Sequence, residues 1–91
     1  MRSGCTGALA RSLAGHDRES LYIIIREEGE YVFLADGKIR PVSRPKRKNR
    51  KHIQIIHDRE ETDREALLAA GHLSDDAVRQ HLKRYRRESQ P

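Results

Sequence analysis

The sequence predicts a mainly β fold: five short strands closing into a small barrel, followed by a short C-terminal helical tail. Three observations carry that expectation. Leu21-Tyr22-Ile23-Ile24-Ile25 is dense in β-branched and aromatic residues. Tight-turn residues at Gly15, Glu28-Gly29 and Asp36-Gly37 divide the first part of the chain into segments too short for ordinary helices. After residue 57 the apolar spacing changes to that of helices.

Taken in order, residues 1–6 carry no periodicity and are expected to fray. Ala8 to Leu13 reads as the first strand, closed by Ala14-Gly15-His16-Asp17, and Leu21 to Ile25 as the second. Glu28-Gly29 turns the chain into Tyr31-Val32-Phe33-Leu34, the return strand of a hairpin. Asp36-Gly37 tolerates positive φ and leads to Lys38-Ile39-Arg40, read as a fourth strand that Pro41 stops. Ser43–Lys51 reads as a basic loop, and His52–Ile56 as the last strand. Closure into a barrel is the usual way for so small a sheet to avoid open edges.

In the tail, Thr62-Asp63-Arg64-Glu65 fits a capping box opening a short helix that ends near Gly71. Ser74 caps a second helix with Asp75 and Asp76 in its first turn, and Leu73 and Val78 form a staple pair. Val78, Leu82 and Tyr85 make a narrow apolar stripe along it. The organisation expected is therefore a terminus over 1–6, a β-domain with its basic loop over 7–57, and a helical extension over 58–91.

Composition narrows the function. The chain has 91 residues, 35% hydrophobic and 36% charged, with no Trp, one Phe and one Met. No apolar run approaches the ~20 residues a membrane span requires, and side chains to line a large apolar cavity are scarce. A single cysteine, Cys5, excludes an internal disulfide and a zinc ribbon. The apolar stretch near the start is too short for a signal peptide, so the expected compartment is the cytoplasm.

The net charge is +5, with 19 Lys and Arg against 14 Asp and Glu. That excess is clustered. From Gly37 to His57 there are eight Lys or Arg and no acid, whereas Glu27, Glu28, Glu30 and Asp36 precede the segment and Asp58, Glu60, Glu61, Asp63 and Glu65 follow it. A charge run can be a solvated loop that only keeps a protein soluble. Segregation between acidic flanks favours a polyanionic partner, because self-repulsion in such a segment is relieved by phosphates. Lys38, Arg40, Arg44, Lys46, Arg47, Lys48, Arg50 and Lys51 are the candidate phosphate contacts. RNA is preferred to DNA: no helix presents major-groove base readers, and the helix after Ser74 begins acidic, unsuited to phosphate. With few aromatics, recognition is expected through shape and backbone, with Tyr22, Tyr31 and Phe33 serving as core or wall residues and not as stacking platforms.

No catalytic or metal constellation emerges. His52 and His57 lack Cys or Glu partners at ligand spacing, and His72 and His81 flank helices. Cys5, Ser12, Ser20 and Ser43 have no nucleophile context, and no Gly-rich phosphate loop is present. The expectation is a binding protein, with no enzymatic activity, cofactor or small-molecule substrate.

The order of Ala14-Gly15-His16-Asp17-Arg18 before the strong strand, then Tyr31–Gly37, then the basic Lys46–His52, resembles small bacterial KOW-domain RNA-binding proteins, relatives of KOW-containing ribosomal proteins of the archaeal and eukaryotic large subunit. The resemblance covers roughly residues 7–56, and order and spacing carry it more than any single motif. It implies a five-stranded SH3-like barrel that meets RNA through its first inter-strand loop and adjacent basic residues. Gly15 would be the loop glycine, Asp17 would bond loop amides, and His16 and Arg18 would face RNA. Glu19 stands where the motif often has a second glycine, which shifts the expected contact toward Arg40–Lys51. Taken alone, Gly15–Arg18 is also an ordinary turn. The partner implied is ribosomal RNA or the ribosome, ribosomal proteins included. The alternative is a protein-interaction module of the translation or transcription machinery, docking through the barrel and the stripe of Leu67, Leu68, Val78, Leu82 and Tyr85.

Overall fold

The computed structural model describes residues 6–13, 20–56 and 74–88. Five antiparallel strands, β1 (Leu9–Ser12), β2 (Leu21–Glu28), β3 (Tyr31–Ala35), β4 (Lys46–Asn49) and β5 (Ile53–Ile56), form one sheet in the order β4-β3-β2-β1-β5. A helix, α1 (Asp75–Glu88), follows. The fold is mainly β, with a five-stranded antiparallel sheet and one C-terminal helix among the described residues.

The apolar run at Leu21–Ile25 is unbroken because β2 is covered on both faces. Tyr22 and Ile24 point to one side, where they meet Ala10, Val32 and Leu34, with Ala8, Ile53 and Ile55 at the margin. Leu21, Ile23 and Ile25 point to the other, where Leu9 and Ile23 pack beneath Val78 and Leu82 of α1, flanked by Ile56, Val42 and Tyr85. Strand alternation thus divides one sequence run between two small cores.

Register along β2 is interrupted once. Ile24 pairs with Leu34 but Arg26 with Phe33, so Ile25 is the extra residue of a β-bulge. A bulge bends its strand and reverses the inward–outward parity beyond it. Before the bulge, even-numbered residues of β2 face the inner core; after it Glu27, opposite buried Val32, faces that side, and Arg26 shares the outer face with Phe33.

Two expectations for the middle of the chain are corrected. Lys38-Ile39-Arg40 is not a strand but part of a tight loop. One carboxylate oxygen of Asp36 accepts the amides of Lys38 and Arg40, both at 2.9 Å, and the amides of Asp36 and Gly37 donate to the Arg40 carbonyl. That local alternative satisfies the backbone groups a strand would have paired. The fourth strand comes later, inside the segment expected to be a loop: Lys46–Asn49 pairs with β3 from Leu34↔Lys46 to Tyr31↔Asn49. A strand of Lys, Arg, Lys and Asn carries no apolar signal, and its charges suit an outermost strand, where they discourage pairing with another chain.

Barrel closure is corrected as well. β4 and β5 stand at opposite ends of the strand order, and no pairing between them closes the sheet. Yet the only link from β4 to β5 is a single 3₁₀ turn, Arg50–His52, capped by Asn49, whose side chain accepts the Lys51 amide. Three residues at a rise of ~2 Å each cannot cross a flat five-stranded sheet. The sheet is therefore curled, with one end of β4 brought near one end of β5, but open.

The helix forms where expected. The Ser74 hydroxyl accepts the Ala77 amide at 3.1 Å, and Asp75 and Asp76 occupy the first turn. Val78 and Leu82 are buried on the sheet, and burial of each stabilises the fold by about 1.5–3 kcal/mol. The helix start is latched to the 36–42 loop. Asp75 accepts the Val42 amide at 2.7 Å, and the Arg79 guanidinium, paired also with Asp76, donates to the Gly37 carbonyl at 2.6 Å. The capping box at Thr62, the helix ending near Gly71, and Leu67, Leu68 and Leu73 lie outside the described residues.

Candidate nucleic-acid interface

The basic segment is laid out on three successive supports: the 36–44 loop, the outermost strand β4, and the 3₁₀ turn. Lys38 and Arg40 are exposed on a loop whose backbone Asp36 holds in place. Arg44 is exposed after a turn in which its amide donates to the Pro41 carbonyl at 2.9 Å. These three cations therefore ride on backbone that is already ordered, which lowers the entropy cost of meeting a partner.

The pleat of β4 divides the next cations between two faces. Lys46 and Lys48 pair with Leu34 and Val32, so they sit on the inner face and are half-buried. Arg47 pairs with Phe33 and is exposed on the outer face. The sequence run suggests one continuous patch; the strand instead turns alternate charges to opposite sides.

Arg50 is occupied by the fold. Its Nε donates to the Gly29 carbonyl at 2.9 Å, and a terminal nitrogen pairs with Glu27 at 2.8 Å. Its amide donates to the Glu30 carbonyl. The bulge makes this possible, since it turns Glu27 inward, where its second oxygen accepts the Thr6 amide and hydroxyl, both at 3.0 Å. This end of the segment thus abuts the acidic β2–β3 turn through Gly29, Glu27 and Glu30. Lys51 is exposed beyond it. Gly15, His16, Asp17 and Arg18, together with Glu19, lie outside the described residues.

A feature missed in the sequence sits on the outer face beside Arg47. Tyr22 belongs to the core, as expected, but Tyr31 is 40% exposed and Phe33 is half-buried on the outside of β3. Each ring carries a guanidinium. Arg26 lies over Phe33, 4.0 Å from the ring centroid, and Arg47 over Tyr31 at 4.7 Å. Arg47 was visible as a cation, but its aromatic partner follows from cross-strand diagonal pairing, and Arg26 reaches this face only through the bulge.

Among the described residues, no three His, Cys, Asp or Glu side chains gather as a metal set, and no helix is long and apolar enough to cross a membrane. His52 is exposed on the 3₁₀ turn, and His81 is half-buried on α1. In comparisons with known proteins, the chain matches no family model and no curated protein.

Proposed function

We propose that this chain is an RNA-binding protein of the KOW type, acting in the cytoplasm on ribosomal RNA or the ribosome as a binding module, with no catalysis. The observation that carries the reading is the acid-free basic segment, of which Lys38, Arg40, Arg44, Arg47 and Lys51 are exposed on an ordered loop, an outermost strand and a 3₁₀ turn. Clustered cations on fixed backbone release counterions when they meet phosphates, giving affinity with little sequence discrimination. The resemblance in motif order, and a curled sheet of five short antiparallel strands whose two outermost members are joined by one 3₁₀ turn, support an SH3-like domain. The rival reading, a protein docking through the barrel and the C-terminal apolar stripe, loses Val78 and Leu82 from its docking surface, because both are already buried against the sheet.

The test is charge reversal at exposed positions, Arg40→Glu, Arg44→Glu and Lys51→Glu together, with binding to large-subunit ribosomal RNA measured by filter retention and folding by circular dichroism. A fold that persists while RNA binding falls at least thirtyfold is the expected outcome. Wild-type affinity in the triple variant would remove the segment from the interface.

A further inference from the structure

The outer face of the sheet is divided into two territories. Where it is formed by β5, β1 and the first half of β2, it is apolar and covered by α1 through Val78 and Leu82. Past the bulge, the same face is formed by Arg26 and Glu28 of β2, Tyr31 and Phe33 of β3, and Arg47 and Asn49 of β4. None of these six residues belongs to the core beneath α1. Tyr31, Arg26, Glu28 and Arg47 are exposed there.

The arrangement is specific. Phe33 and Tyr31 are two residues apart on one strand, so they stand side by side on the same face, about 6.8 Å apart along it. Each is overlaid by a guanidinium, from opposite neighbouring strands. Glu28 pairs with Arg26 through Nε at 3.2 Å, which steadies that guanidinium beside the ring. Two planar cations are thus displayed side by side, each backed by an aromatic ring. A guanidinium plane is a stacking surface for a nucleobase, and an arginine so placed also carries charge that phosphate complements. Duplex RNA hides its base faces, so only unpaired bases can use such a surface.

We propose that Arg26–Phe33 and Arg47–Tyr31 form a stacking platform for two unpaired bases of single-stranded RNA. The inference rests on the RNA reading of the basic segment, to which the platform is joined through Arg47, the exposed outer-face cation of β4. Backbone contacts along the segment supply affinity, and the platform supplies a preference for single strands with accessible bases.

The test compares three fluorescently labelled probes at low salt: a twelve-nucleotide oligo-A RNA, an abasic ribose-phosphate oligomer of the same length, and an RNA duplex. Wild type is expected to bind oligo-A at least tenfold more tightly than the abasic oligomer, since each stacked base is worth roughly that factor. Arg26→Lys with Arg47→Lys keeps both charges and loses both planes, and is expected to bring oligo-A down to the abasic level with an unchanged salt slope. Tyr31→Ser is expected to do part of the same, and urea midpoints check that each variant is folded. Equal binding of oligo-A and abasic oligomer by wild type, or preference for the duplex, overturns the platform. If Arg40→Glu, Arg44→Glu and Lys51→Glu then abolish that binding, the basic-segment reading stands without it. Failure of wild type to bind any of the three overturns both.

Discussion

The backbone carbonyl oxygen of Asp75 occupies the space in which a side chain at Gly37 would begin. A Cβ at Gly37 would lie 2.6 Å from that oxygen and 2.7 Å from Cγ of Arg79, and Gly37 itself has φ +80°. Gly37 therefore answers two demands, a left-handed turn after β3 and close approach of the α1 terminus. Gly29, in the turn between β2 and β3, answers only the need for a left-handed conformation: its φ is +59°, and nothing lies within 4 Å of a Cβ there.

The pair makes a controlled comparison. Gly29→Ala incurs only the cost of the left-handed conformation, about 1 kcal/mol. Gly37→Ala adds overpacking against the Asp75 carbonyl and the Arg79 side chain, for a total of about 2–4 kcal/mol. Urea unfolding monitored by circular dichroism measures both. Equal losses at the two positions would show that the helix start yields to the methyl group.

The same latch offers a finer test through Asp75. Its carboxylate accepts the Val42 amide at 2.7 Å across 33 residues of chain. Asp75→Ala leaves that amide without its partner and should destabilise the protein by about 1–2 kcal/mol. Asp75→Asn retains an acceptor oxygen and should lose less than half as much. Hydrogen exchange at Val42 is the direct readout: its protection should fall in the alanine variant and persist in the asparagine one.

Leu82 is 2% exposed, packed with Val78 on Leu9 and Ile23. Truncation to Ala should cost about 2–4 kcal/mol, a large share of the stability of a domain this small. Lys83→Ala, one residue along on the exposed side, should change the thermal midpoint by little. Thermal unfolding of the two variants side by side separates packing of α1 on the sheet from helix propensity, because either change to Ala favours the helix intrinsically.

Arg50 is predicted to differ from the other cations of its segment. Glu27 binds it with one oxygen and Thr6 with the other, so Glu27 joins the chain start, the end of β2 and the 3₁₀ turn. A double-mutant cycle on Glu27→Gln and Arg50→Gln should give a coupling of about 1 kcal/mol, modest because the guanidinium is 42% exposed. Arg50→Gln should then reduce stability more than RNA affinity, with Lys51→Gln showing the reverse.

What could be read in the chain, and what could not, follows from the range of the interactions involved. Leu21–Ile25 declares a strand because β-branched density is a local property, and Ser74 with Val78 and Leu82 declares a capped helix for the same reason. Lys38–Arg40 reads as the fourth strand because Ile39 follows the Asp36-Gly37 turn and Lys46–Asn49 has no apolar residue to compete with it. The Ile39 side chain is in fact 84% exposed, while Lys46–Asn49 becomes a strand solely because β3 has an edge to pair with. Of the candidate interface, the positions of Lys38, Arg40 and Arg44 were legible as charge. The opposed faces of Lys46 and Arg47, the tie of Arg50 to Glu27 and the arrival of Arg26 above Phe33 all depend on register. The bulge at Ile25 sets that register beyond it, and no local residue preference announces it.

The last prediction concerns salt, and it separates phosphate contacts from stacked bases. Five exposed cations, Lys38, Arg40, Arg44, Arg47 and Lys51, are available to neutralise phosphates. For single-stranded RNA, five neutralised phosphates correspond to a log–log slope of about −3.5 of affinity against salt, or roughly a hundredfold loss between 50 and 200 mM. Arg40→Gln should reduce the slope by about 0.7, as should Arg44→Gln, because each removes one released counterion. Arg50→Gln should leave the slope unchanged, since that guanidinium is paired with Glu27 before RNA arrives. Stacking contributes affinity but no counterions, so Tyr31→Ser should lower the whole line without tilting it. A slope near zero in the wild type would mean that the cations of this segment remain solvated when RNA binds.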